Sequence, residues 1–297
     1  MKIYAYNVDQ KGSRAIEALT DTIIRRGIGD RIFSVDATLR LEERSLEGDF
    51  LRLNFAFKRG GHGPGRYLED RPLESFDVGE NNSGFGEDTA LIVHLPSSTV
   101  AVQYNHHGPK IKHIEQYLYA ADLKEGLSPA VDGVADEDRC GFEFGVVLTP
   151  DAMEKVRNFG LYRKINFTVA VPGVQRGDLE RGRGLGEVLG APFPEGVETL
   201  QMSIGATTKK GSRLSSVQSM RWIQDLLNLG PAVLKRAVVE GRPTEDDLTD
   251  PVDLIADRVC VERPIRLGHG LRYTVEDRWN ALEQGWESMR ERGLLPL

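Results

Sequence analysis

Lysine and arginine crowd the middle of this chain, and phosphate binding is the chemistry they suit. Between Lys155 and Arg183 stand Lys155, Arg157, Arg163, Lys164, Arg176, Arg181 and Arg183, against Asp178 and Glu180. Between Gln201 and Arg236 stand Lys209, Lys210, Arg213, Arg221, Lys235 and Arg236, against Asp225. The chain as a whole carries a net charge of −7. Positive potential is therefore segregated, and a polyanion that meets it releases condensed counterions. The sharpest piece is Thr207-Thr208-Lys209-Lys210-Gly211-Ser212-Arg213. It is a polar turn with hydroxyl and cationic donors just ahead of a helix N-terminus. The expected nucleic-acid-binding residues are Arg163, Lys164, Arg181, Arg183, Lys209, Lys210, Arg213 and Arg221. No aromatic platform is interleaved with them, so the pattern points to backbone contacts and not to base readout.

The other residues with chemical potential stand in contexts that do not suit a site. His106 and His107 adjoin, with His113 nearby, but the set lacks the spacing of a zinc site. Gly182-Arg183-Gly184-Leu185-Gly186 is a fragment of a dinucleotide fingerprint. The polar loop before it is the wrong context, because the fingerprint follows a strand directly. Pro150-Asp151 can open a carboxylate motif for a metal-dependent nuclease, yet Thr149-Pro150-Asp151 fits the first turn of a helix better. No nucleophile elbow or phosphate loop is present, and no cofactor is called for. Cys140 and Cys260 each stand alone in strand-like stretches, the pattern of buried thiols in a reducing cytosol.

The elements that position these residues read as an α+β chain, largely antiparallel, with flanking helices and a long C-terminal helix. Residues 2–8 form a strand. A helix follows, with Ser13 as N-cap and Ile16, Leu19 and Ile23 on one stripe. Arg25 and Arg26 close it against the helix dipole. Strands are expected at 31–41 and 49–57, then a long Gly/Pro-rich loop over 58–83. Residues 89–95 and 100–104 make a hairpin around Pro96-Ser97-Ser98. A helix carries Ile111, Ile114, Leu118 and Ala121.

After a polar connector at 128–139 come a strand at 142–148 and the helix opened by Pro150. Ile165, Phe167, Val169 and Val171 then alternate with Lys164, Asn166, Thr168 and Ala170, the mark of a half-buried strand. Residues 197–204 read as a strand and 216–227 as a helix. A shorter helix is expected from Pro231 to Gly241, then an acidic linker to Pro251 and a strand near 258–265. Thr274 caps the last helix, which carries Val275, Trp279, Leu282, Trp286 and Met289 on one stripe. The chain divides into α+β regions at 1–127 and 140–297, or forms one interleaved domain. Its 297 residues, 40% hydrophobic and 28% charged, suffice for a real core. No apolar run approaches the roughly 20 residues of a membrane span, so a cytoplasmic protein is expected.

The order of elements resembles that of RexA-like phage-exclusion proteins. The likeness is carried by the Ile3-Tyr4-Ala5-Tyr6 strand with its helix, and by the 89–104 hairpin followed by Gly108-Pro109 and a helix. In the C-terminal third it continues through paired helices, an acidic linker, a strand and the helix beginning at Thr274. The resemblance implies an intracellular, homodimeric, sequence-tolerant DNA binder that works with a membrane-protein partner to abort phage infection. It carries over no catalytic residue. Two other functions fit parts of the sequence: a metal-dependent nuclease or nucleotide-processing effector, and a scaffold that uses the C-terminal Trp stripe as its contact surface.

Overall fold

A computed structural model describes residues 1–12, 14–33, 39–58, 66–68, 71–74, 85–126, 134–170, 197–207, 209, 212–228, 234–267 and 273–295. It is an α+β structure built on two antiparallel sheets. Strand β1 (Lys2–Gln10) leads to helix α1 (Ile16–Ile24). The N-cap of α1 is Ala15, without a side-chain cap, so Ser13 is not the cap; Ser13 itself lies outside the described residues. The strand expected at 31–41 is displaced: a 3₁₀ turn occupies Ile28–Arg31 and β2 runs Leu39–Glu47. β3 (Phe50–Lys58) follows. Within the expected 58–83 loop lie two short paired strands, β4 (Arg66–Leu68) and β5 (Arg71–Glu74). The hairpin forms as β6 (Gly86–His94) and β7 (Thr99–Gln103), and α2 (Ile111–Glu125) ends on Gly126 at φ 61°.

Next come α3 (Asp136–Arg139), β8 (Phe142–Val146), α4 (Pro150–Asn158) with Pro150 in its first turn, and β9 (Leu161–Ala170). β10 (Thr199–Gly205) and α5 (Ser216–Asn228) precede β11 (Leu234–Arg242). The helix expected over 231–241 is therefore a strand, paired along most of its length with β9. The acidic linker is in part β12 (Asp250–Asp253). β13 (Cys260–Glu262) and α6 (Val275–Glu291) complete the chain. Thr274 Oγ1 accepts from the Asp277 N–H at 3.1 Å, as its capping role requires. Cys140 lies outside any strand and is buried, Cys260 is half-buried in β13, and neither forms a disulfide.

The first sheet runs β13-β1-β7-β6-β3-β2, with β8 also paired to β1. Its two faces are both covered. One packs on α1 and α2 through residues such as Leu53, Phe55, Leu91 and Tyr117. The other packs on α6, where Trp279, Leu282, Trp286 and Met289 meet Ile3, Ala5, Ile92 and Val261. The Trp stripe is thus core. Trp286 is 2% exposed and its Nε1 donates to Thr99 Oγ1 at 2.8 Å. Gly285 permits the close approach, since a Cβ there would stand 2.6 Å from Ile3 Cδ1. The second sheet, β10-β9-β11-β12, packs one face on α5 and joins the α1/α2 core. Among the described residues no helix is long and apolar enough to cross a membrane.

Candidate nucleic-acid interface

β9 is the central strand of the cationic region. Ile165, Phe167 and Val169 are buried, which turns Lys164, Asn166 and Thr168 to the opposite face. Cross-strand register sets Gly205, Ser203 and Gln201 of β10 beside Lys164, Asn166 and Thr168. On the other side it sets Glu240, Val238 and Arg236 of β11 beside the same residues. Thr199, Gln201, Ser203 and Gly205 are exposed, as is Arg236. This face is therefore open and polar, with hydroxyl and carboxamide groups between cations at two levels. Lys164 and Thr168 are four residues apart, about 13 Å at ~3.3 Å per residue. The Asn166 carboxamide donates to Glu240 Oε1 at 3.2 Å; Glu240 stands opposite Lys164 and keeps its charge on this face, and Asp253 of β12 stands beyond Val238.

At the Lys164 end a bulge places Arg163 out of the pairing with β11. Its guanidinium donates to the Ser212 carbonyl, and to that of Thr207 at 3.3 Å. Ala206 N donates to Arg163 O at 2.9 Å, Leu214 pairs with Tyr162, and Thr207 Oγ1 bonds Ser212 Oγ at 2.9 Å. Tyr162 anchors the base of the turn. Its hydroxyl donates to Val156 O at 2.9 Å, and burial raises its pKa. Arg163 is thus a positioning residue: its charge stays local, but its donors are spent on the turn that displays Lys209 and Arg213.

Lys209 and Arg213 are exposed, and the N-terminus of α5 follows directly at Ser216. Arg221 is exposed more than a turn further along α5. Lys164, Lys209, Arg213, Arg221, Lys235 and Arg236 form no ion pair with any described residue. Among the described ion pairs, Lys155–Asp250 at 3.0 Å is the one that touches the second sheet. Lys210, Arg181 and Arg183 lie outside the described residues, as does the glycine fragment at 182–186.

The structure thus brings Arg163, Lys164, Lys209 and Arg213 together and sets Arg221 apart on α5. It adds residues that were not among the expected contacts. Arg236 is placed on the open face by cross-strand register, and Gln201, Ser203, Asn166 and Thr168 supply neutral hydrogen-bonding groups between the cations. The alternation along 164–170 was the signal for Asn166 and Thr168. Nothing local marks β10 as their neighbour.

His94 and His113 have structural surroundings. His113 Nδ1 accepts from the Lys110 N–H at 3.2 Å at the start of α2. His94 stacks on Trp286 at 4.4 Å, and burial lowers its pKa. Among the described residues no group of three or more His, Cys, Asp or Glu side chains is arranged to hold a metal ion. No protein-family model matches the chain, and no curated protein matches it.

Proposed function

We propose that this chain is a non-enzymatic, sequence-tolerant DNA-binding protein that acts in phage exclusion, and that the open face of the second sheet is its phosphate-contacting surface. The observation that carries the binding proposal is the unpaired state of the cations. Lys164, Lys209, Arg213 and Arg236 sit on one sheet and its adjoining turn with no carboxylate in ion-pair contact among the described residues. Interspersed Thr, Ser, Asn and Gln groups suit phosphate and sugar oxygens, which fix position without reading sequence. The absence of aromatic residues among the exposed positions of β9 and β10 favours backbone contact over stacking. The role in phage exclusion, the cytoplasmic setting, the homodimer and the membrane-protein partner are supported by the likeness of β1 with α1, of the β6–β7 hairpin with α2, and of the terminal helix α6 to RexA-like proteins; the paired helices of that likeness drop out, because Leu234–Arg242 is a strand.

The test is fluorescence anisotropy of labelled duplexes of unrelated sequence over a range of salt. The expected result is similar affinity for each duplex and a steep fall with salt. Replacing Lys164, Lys209 and Arg213 together by Ala lowers the slope of log K against log salt by about 2–3, near 0.9 per lost phosphate contact. An affinity indifferent to salt, or to this triple change, removes the assignment.

A further inference from the structure

We propose that the outer edge of β10 is the contact between two copies of this chain, which pair antiparallel about a two-fold axis at Met202. The four edges of the two large sheets are not alike. β2 is charged along its length, with Arg40, Glu42, Glu43, Arg44 and Glu47, and carries a bulge between Leu41 and Glu43. On the opposite side of the first sheet the edge is split between β13, three residues long, and β8, against which α2 and α5 pack. β12 is four residues long, with Asp at both ends and Pro251 between them. These are the ways sheets avoid unwanted pairing. β10 has none of them: Thr199-Leu200-Gln201-Met202-Ser203-Ile204-Gly205 contains no charge, no proline and no bulge.

The hydrogen-bond phase of β10 fixes which groups remain to be paired. Ala206 N donates to Arg163 O, so the residues of β10 that bond to β9 are Leu200, Met202 and Ile204. The N–H and C=O groups of Thr199, Gln201, Ser203 and Gly205 point the other way. Among the described residues no strand receives them. In an antiparallel self-pairing centred on Met202, Thr199 meets Gly205 of the second copy and Gln201 meets its Ser203, and the converse pairs follow by symmetry. All four residues are then hydrogen-bonded.

The same register is self-complementary on both faces. On the inner face Leu200 meets Ile204, and Met202 meets Met202. These three residues are half-buried within one copy, packed on the edge of its core. A second copy completes their burial. On the outer face polar residues meet polar residues, and no like charges stand opposite one another. A two-fold contact of this kind closes on itself and stops at a dimer. The result is a continuous eight-stranded sheet with one open polar face that carries the Lys209–Arg213 turn twice. The assignment depends on the strand edge alone and stands whether or not that face binds nucleic acid.

The experiment measures association of the full chain by sedimentation equilibrium, at high salt and without nucleic acid. The wild-type chain is expected to be a dimer. Ser203→Pro removes an outward N–H while leaving the bonds to β9 intact, and is expected to weaken the dimer at least about tenfold with an unchanged melting temperature. In a Cys260→Ser background, Met202→Cys is expected to form an intermolecular disulfide under mild oxidation, because facing residues of a non-hydrogen-bonded pair are about 4.5 Å apart at Cα. Thr199→Cys, six positions off its own symmetry mate, is expected not to. A monomeric wild type overturns the proposal, as does a dimer that survives Ser203→Pro with its fold intact. Should Ser203→Pro unfold, equal cross-linking by Met202→Cys and Thr199→Cys overturns it instead. DNA binding by a monomeric wild type would leave the phosphate-contacting surface of the preceding proposal standing, while removing its homodimer and this contact.

Discussion

The two sheets treat their cations in opposite ways. Around the first sheet many are matched with carboxylates: Arg25 with Asp21, Arg26 with Glu125, Arg40 with Glu42, Arg52 with Glu47 and Glu283, Lys112 with Glu115, and Arg278 with Asp88; Arg31 and Lys110 are held by backbone carbonyls instead. On the second sheet Lys164 and Arg236, with Lys209 and Arg213 of the adjoining turn, have no such partner among the described residues. The first sheet is covered on both faces and its ion pairs tie helices to strands. On the second, no described helix packs over the Lys164–Thr168 face, and Lys209, Arg213 and Arg236 are exposed. Composition alone misleads here, because a net charge of −7 averages a neutralised region with an unneutralised one. Paired cations define where elements dock, whereas unpaired ones leave their field available to a polyanion.

The largest expected effect lies in the paired region. Arg278 is 2% exposed; its Nη2 meets Asp88 Oδ2 at 2.7 Å, and its Nε donates to Thr274 O at 3.3 Å. Arg278→Ala takes the guanidinium from Asp88 beneath the first turn of α6 and leaves that carboxylate to neutral donors such as the Asn54 carboxamide at 3.4 Å. The expected loss of stability is about 3–5 kcal/mol by urea denaturation, the range for breaking a buried pair from one side. Arg213→Ala, in the exposed turn, is expected to stay within about 0.5 kcal/mol. If the two changes cost the same, the distinction between structural and displayed cations is lost.

The contrast can also be broken by giving the second sheet what the first has. Thr168 lies opposite Arg236 on the open face. Thr168→Glu supplies a carboxylate at ion-pair distance, and a cross-strand pair of opposite charge stabilises by about 0.2–1 kcal/mol. Under the phosphate-binding proposal the same change weakens DNA binding and lowers the salt slope by about one unit, the loss of one phosphate contact. A small gain in stability with a loss of binding is the expected signature. Binding that is unchanged by Thr168→Glu places the polyanion elsewhere.

How much of this was legible in sequence differs between neighbouring strands. β9 declares itself, since its alternation survives from Lys164 to Ala170. β11 does not, and was expected as a helix. Register shifts between Leu234 and Arg236 and between Glu240 and Gly241 break its period of two. Leu234 and Ala237, both buried, stand three apart because Lys235 is extra, and that spacing imitates a helical face. The candidate cations were visible as a count. Their freedom was not, because pairing is set by tertiary distance: Arg278 finds Asp88 from 190 residues away. The docking of β13 and α6 onto the first sheet is non-local for the same reason. The Trp stripe was legible as an amphipathic face, and which surface it would cover was not.

The smallest expected effect tests the cost of pairing in the first region. Glu115 on α2 is buried; its Oε1 accepts from the Phe144 N–H at 2.7 Å, and its Oε2 meets Lys112 Nζ at 2.8 Å. Burial raises its pKa above the ordinary value near 4.5, Glu143 adds to the rise, and Lys112 and the Phe144 N–H oppose it. A carboxyl that holds its proton more tightly when folded favours the folded state on the acid side. That contribution is lost as pH rises from about 4.5 through the raised value. Glu115→Gln keeps an acceptor for Phe144 and removes the titration. The expected outcome is a flatter stability profile across that interval, with a change at neutral pH within about 1 kcal/mol, because the relief of desolvation offsets the lost pair. Glu115→Leu leaves the Phe144 N–H without its acceptor and is expected to cost about 1–3 kcal/mol at every pH. Urea denaturation at a series of pH values separates the two variants. If Glu115→Gln leaves the slope against pH as steep as in the wild-type chain, then the matched charges of the first region are not what makes its stability depend on pH.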